Sequence, residues 1–136
     1  MISLGGSDPK NYTKKILLKL SKIWNYQIKV VLGKLNFNSK NFEKYENKRI
    51  SIFKNPKNFK RLQSECNYAI TNGGMTLCEM IYLNKNVFAI PKNIKEYHFC
   101  KLIQKEYNLK FGKIEDIKIT KYKYKKKIKL GNKEFV

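Results

Sequence analysis

Arginine is nearly missing from this chain: Arg49 and Arg61 stand against 28 lysines in 136 residues carrying a formal net charge of +20. Readers of bases and phosphate backbones lean on the planar, bidentate guanidinium, so this lysine excess argues against a dedicated nucleic-acid reader. The lysines are spread along the chain beside Asn and Ile, and only Lys121-Tyr122-Lys123-Tyr124-Lys125-Lys126-Lys127 forms a concentrated block. Its interleaved tyrosines could stack on single-stranded bases, and it reads equally as an alternating edge strand with lysines outward. Histidine occurs once, at His98, and cysteine three times, at Cys66, Cys78 and Cys100, with no C-x-x-C pair. That set does not complete a zinc site, so no metal or other cofactor is expected. The thiols are expected to be reduced and buried, in a cytoplasmic protein. Long apolar runs are lacking too. None approaches the ~20 residues of a membrane helix, and Ser3-Leu4-Gly5-Gly6 interrupts the N-terminus where a signal peptide would carry its apolar segment.

What is present is enough for a core. Hydrophobic residues make up 42% and aromatics 13%, and a chain of this length fits a single folded domain. Short β-branched runs alternate with amphipathic segments. Strands are expected at Ile2–Leu4, Gln27–Leu32, Ile50–Phe53, Tyr68–Thr71 and Val87–Ile90, with a weaker one over Leu109–Gly112. Helices are expected over Asn11–Ile23, Lys57–Ser64, Met75–Leu83 and Glu96–Tyr107, with short helices near Asn41–Tyr45 and Ile114–Ile119. Five rounds of strand and helix imply an α/β fold, a doubly wound Rossmann-like parallel sheet covered on both faces. The compact unit is expected over residues 1–112, followed by a basic tail over 113–136 in which no clear apolar period continues.

Two glycine turns stand out within that pattern. Gly73-Gly74 follows the Tyr68–Thr71 strand and opens the helix beginning at Met75; Gly5-Gly6-Ser7 follows the first strand. Adjacent glycines keep no side chain between the backbone and a ligand, and a helix start offers free N–H groups and a positive dipole end. Phosphate is the guest such a turn suits. Ser7 or Asp8 is expected to cap the first helix, with Pro9 in its first turn. Glu79 lies one helical turn inside the second mouth, on the side of Met75. Both turns are expected at the sheet edge where open α/β folds bind ligands.

The series Leu4-Gly5-Gly6-Ser7-Asp8-Pro9, Ile52-Phe53, Thr71-Asn72-Gly73-Gly74-Met75-Thr76-Leu77-Cys78-Glu79 and Ala89-Ile90-Pro91 resembles the C-terminal, nucleotide-sugar-binding half of GT-B enzymes. The nearest likeness is to the UDP-sugar hydrolase of pseudaminic acid biosynthesis and related spore-coat polysaccharide proteins. The lipid II N-acetylglucosaminyltransferase of peptidoglycan synthesis is more distant. The resemblance spans about residues 2–105. It implies that UDP or a UDP-sugar lies across this half, its diphosphate held by Gly5, Gly6, Ser7, Gly73, Gly74, Met75 and Thr76. The nucleoside would be read by backbone near Phe53 and Lys54 and by Glu79 at the ribose. Asn72 and His98 would face the sugar, His98 standing in Glu96-Tyr97-His98 where the family often carries a glutamine.

The resemblance also implies that catalysis, as hydrolase or transferase, needs an N-terminal GT-B domain or subunit. The family's Gly-rich loop with a catalytic histidine lies there, and no catalytic residue is assigned in this chain. A peripheral membrane contact through the lysine-rich surface would suit a transferase using a lipid acceptor. The rival readings are a glycosyltransferase subunit related to the lipid II enzyme, and a basic module for RNA or an anionic surface whose glycine turns are only structural.

Overall fold

The computed structural model describes residues 1–36 and 39–117, together with two short strands at 128–130 and 133–135. Six strands form one sheet: β1 (Ile2–Ser3), β2 (Ile28–Leu32), β3 (Ile50–Lys54), β4 (Tyr68–Thr71), β5 (Asn86–Ala89) and β6 (Lys110–Phe111). Their spatial order is β3-β2-β1-β4-β5-β6 and every pairing is parallel. Four helices connect or follow them: α1 (Tyr12–Ile23), α2 (Phe59–Glu65), α3 (Met75–Tyr82) and α4 (Ile94–Tyr107). This is the doubly wound, Rossmann-like α/β arrangement. Its strand order reverses between β1 and β4, which creates a switch point there.

Alternation of side chains along the strands sorts the core into two faces. Ile2, Leu4, Ile28, Val30, Leu32, Ile50, Ile70, Phe88 and Ile90 join Ile16, Leu17 and Leu20 of α1 in one buried cluster. α1 presents these residues at helical spacing, with Lys14 and Lys15 outside that cluster, so its apolar stripe sits on the sheet. Ile114 and Ile117 extend the same face, and the Lys19 ammonium donates to the Ile114 carbonyl at 2.8 Å. On the other face Ala89 of β5 clusters with Leu77 and Ile81 of α3 and Cys100 of α4, and Ala69 of β4 with Met80 of α3. Small side chains at the sheet let those helices approach closely, while the large ones fill the α1 side.

Element boundaries differ from the sequence expectation in instructive places. α4 begins at Ile94, two residues early, because Asn93 accepts from the Glu96 N–H at 2.9 Å and caps the helix. The expected helix near Asn41–Tyr45 is a pair of 3-10 turns, Ser39–Asn41 and Glu43–Tyr45. Phe42 between them is buried in the α1-side core. Ile114–Asp116 is likewise a single 3-10 turn. Past it, Ile128–Leu130 and Lys133–Phe135 pair as an antiparallel hairpin, which the sequence reading lacked. The basic block at 121–127 lies outside the described residues. No described helix is long and apolar enough to cross a membrane.

Candidate functional site

Parallel pairing of β1 with β4, Ile2 opposite Ile70 and Ser3 opposite Thr71, delivers both glycine turns to the same edge as neighbours. They touch. A Cβ built on Gly5 would stand 3.5 Å from Asn72 Oδ1 and 3.6 Å from its Nδ2. Gly5 itself has φ +87°, the left-handed region that side chains avoid, so the first turn requires glycine there. Gly6 meets nothing within 4 Å of its absent Cβ and is exposed, leaving its backbone open to an incoming group. From the β2 side Gly33 packs directly beneath: a Cβ there would come within 3.0 Å of Gly6 Cα and of the Gly5 and Gly6 carbonyl oxygens. The Leu35 N–H donates to the Gly6 carbonyl at 2.8 Å and completes the seat.

Charge is arranged differently at the two helix starts. The sequence reading put Ser7 or Asp8 at the cap of α1 with Pro9 in its first turn. The helix, expected from Asn11, starts at Tyr12 after a left-handed Asn11, so Pro9 lies before it. Asp8 reaches forward, accepting from the Tyr12 N–H at 3.0 Å and the Thr13 N–H at 2.7 Å. The carboxylate is buried, so this helix end is filled by the chain's own anion. Ser7 is half-buried, and its carbonyl accepts from Lys92 at 2.9 Å.

The second turn keeps its helix end clear. α3 begins at Met75 after Gly74, with no side chain capping it, and Met75 is 77% exposed. Thr76 is buried in the first turn. Glu79 sits one turn further on, half-buried, and makes no side-chain hydrogen bond or ion pair among the described residues. A Cβ on Gly74 would meet only the Asn72 amide, at 3.0 Å. Gly73 is glycine for a different reason: a Cβ would stand 3.0 Å from Cys100 Sγ, Glu96 Cβ and the Glu96 carbonyl of α4.

Glu96 is the hub that the sequence reading missed. One carboxylate oxygen accepts from the Gly73 N–H at 3.1 Å and the Lys92 N–H at 3.0 Å; the other accepts from Asn72 Nδ2 at 3.0 Å. It thereby fixes the second glycine turn, the Asn72 amide and the entry to α4 at once. Asn93-x-x-Glu96 has the spacing of a capping box, a sequence signal that was available. Lys92 carried no such signal. Its ammonium donates to the Leu4 carbonyl at 2.8 Å and the Ser7 carbonyl at 2.9 Å, reaching from the end of β5 across to the first turn.

The remaining expected residues lie farther out. Phe53 and Lys54 end β3, two strands from β1, roughly 10 Å at ordinary strand spacing. Lys54 is engaged by Glu43 at 2.6 Å, and this exposed pair draws the Glu43 carboxyl below its usual range. His98 is exposed on α4, edge-on to Tyr97 at 5.8 Å between ring centroids. It follows Glu96 by two residues, roughly 200° around the helix, so it turns away from the side that holds Gly73. The thiols are unsuited to nucleophilic work: burial raises Cys66 and Cys78, and burial together with the Glu96 carboxylate raises Cys100 to about 11. No group of three His, Cys, Asp or Glu that could hold a metal occurs among the described residues.

A groove of about 820 Å³ lies at the opposite, N-terminal edge of the sheet, lined by residues including Trp24, Tyr26, Tyr68 and Asn86. It takes in neither glycine turn, nor Glu79, Lys92, Glu96 or His98. Its one carboxylate, Glu65, is engaged by Lys29 at 3.1 Å and Arg61 at 2.7 Å. The switch-point edge carries both glycine turns and the uncapped start of α3, and parallel sheets bind ligands at the carboxyl ends of their strands.

No family model and no solved structure matches the chain. An uncharacterized protein of Methanocaldococcus jannaschii is 37% identical over an alignment of 101 residues that covers 68% of this chain. The chain spans about one fifth of that relative's length, 20%.

Proposed function

We propose that this chain is the nucleotide-sugar-binding half of a GT-B enzyme, taking UDP or a UDP-sugar in the crevice between the β1 and β4 turns. The observation that carries this reading is the meeting of two glycine turns at the switch point, with Gly6 open on one side and the uncapped start of α3 on the other. Backbone N–H groups of Gly74, Met75 and Thr76 and the Gly5-Gly6-Ser7 turn would hold the diphosphate, while Gly73, whose N–H is given to Glu96, shapes the turn. Glu79, without a partner of its own among the described residues, is the acceptor for ribose hydroxyls. Phe53 and Lys54 would meet the base only if the nucleoside extends across β2. His98 and Asn72 are the sugar-side residues of the resemblance. Asn72 borders the crevice, whereas His98 needs a ligand or partner that reaches the exposed side of α4.

The nearest likeness remains the UDP-sugar hydrolase of pseudaminic acid biosynthesis. Transfer of the sugar, to water or to another acceptor, then belongs to the chain together with an N-terminal domain or subunit. The carboxylates at the crevice support that division. Asp8 and Glu96 are already engaged by N–H donors, and the third carboxylate at the crevice, Glu79, is assigned to the ribose, so none is assigned as a general base. Free, burial-protected thiols suit a cytoplasmic setting.

Calorimetric titration with UDP at two salt concentrations, with ADP and CMP as controls, tests the reading. Saturable binding that prefers UDP and survives added salt supports it. Equal, salt-sensitive uptake of all three means that the lysines merely collect phosphate. Glu79→Ala is expected to weaken UDP by ~1–3 kcal/mol, the scale for lost hydrogen bonds to a charged group. An unchanged dissociation constant removes Glu79 from the site.

A further inference from the structure

We infer that Lys92 supplies the positive charge for a diphosphate in the switch-point crevice, a role that rests on the ligand class proposed above. The side chain crosses from the end of β5, over β4, to the first glycine turn, where two backbone carbonyls fix its ammonium. An ammonium has three donors. Leu4 and Ser7 take two, and the third has no acceptor among the described residues.

The ammonium is held by no ion pair among the described residues either. The described residues hold three ion pairs, Lys29–Glu65, Lys54–Glu43 and Arg61–Glu65, and Lys92 is in none of them. Of the carboxylates nearby, Glu96 is occupied by Gly73, Lys92 N–H and Asn72, and Asp8 by the start of α1. The glycine at position 5 keeps the way in clear: a Cβ there would stand 3.7 Å from the ammonium and shield it from the crevice. Lysines such as Lys10, Lys57 and Lys60 are exposed, where charge is screened and strongly hydrated. Lys92 is half-buried and pre-positioned, so an anion meets its charge without the cost of ordering a long side chain.

The test is binding of inorganic pyrophosphate, UDP and uridine to the full chain in wild-type, Lys92→Met, Lys92→Arg and Lys85→Met forms. Amide spectra report the Gly5–Ser7 turn in each. Lys85 donates to the Ser64 carbonyl near the other edge of the sheet and controls for bulk charge. Lys92→Met is expected to weaken pyrophosphate and UDP about tenfold while leaving uridine unchanged. Lys92→Arg, which keeps charge and donors, is expected to recover most of that loss, and Lys85→Met to match wild type. Unchanged pyrophosphate binding in Lys92→Met overturns the inference. So does a loss shared equally by UDP and uridine with displaced Gly5–Ser7 signals, which makes Lys92 a loop fastener only. Absence of pyrophosphate binding in the wild type overturns it too. If UDP binds no better than pyrophosphate, the nucleotide reading fails, while a loss confined to Lys92→Met still upholds the charge at Lys92.

Discussion

The two glycine turns look alike as sequence, and in three dimensions they do opposite things with a helix end. After β1, Asp8 folds its carboxylate onto the Tyr12 and Thr13 N–H groups, so α1 carries its own anion. After β4, Gly74 offers no side chain and the nearest carboxylate, Glu96, binds behind the turn at Gly73. The first turn therefore contributes backbone surface, with Gly6 facing open space and Gly5 in a left-handed conformation. The second contributes the dipole. A Gly-Gly pair before a helix is thus not by itself an anion site; what decides is whether a carboxylate nearby in the chain reaches the free N–H groups first.

Substitutions that act on one turn and spare the other break this comparison apart. Gly33→Ala should be the most damaging, because its Cβ would press on backbone atoms of Gly5 and Gly6 that cannot turn aside as a side chain can. A loss of ~3 kcal/mol in urea unfolding is expected, with the first turn displaced and UDP affinity reduced. Next is Asp8→Ala, expected to cost ~1–2 kcal/mol as the loss of a helix cap. It also clears the α1 terminus, making the first turn resemble the second, so added sulfate should restore part of the lost stability. Indifference to sulfate would show that the α1 end is not accessible even when vacated. Gly6→Ala has the smallest expected effect on the fold, within ~0.5 kcal/mol, since its Cβ meets no neighbour. Its UDP affinity should nevertheless fall, because that Cβ would occupy the open side of the crevice; wild-type affinity would move the ligand away from Gly6.

Much of the architecture was legible because it is written in short-range pattern. Gln27–Leu32 reads as a strand from its β-branched run and Tyr68–Thr71 as one leading into the glycine turn, and they are β2, from Ile28, and β4. Alternation with helices was enough to specify a parallel sheet. The start of α1 is expected within one residue, at Asn11 for Tyr12, but the cap geometry is not: Asp8 caps from four residues before Tyr12, with a left-handed Asn11 between, and Pro9 lies before the helix. α4 was begun too late although Asn93 and Glu96 carry the capping spacing. The hairpin at the end was missed because Gly131-Asn132, a sound two-residue turn signal, lies beside a lysine run that masks any apolar period. Glu96 and Lys92 act through contacts 23 or more residues away in sequence, at Gly73, Asn72, Leu4 and Ser7. No local pattern announces such links.

Mapping amide chemical-shift changes on adding UDP to the isotopically labelled chain tests the central claim most directly. The open second turn and the bare backbone of the first should respond together: Gly73, Gly74, Met75 and Thr76 most strongly, with Gly5 and Gly6. Tyr12 and Thr13, sealed by Asp8, should move little, as should Trp24, Tyr26 and Tyr68 around the groove at the far edge. Changes centred on that groove or on the α1 terminus, with the Gly73–Thr76 signals unmoved, would contradict the account.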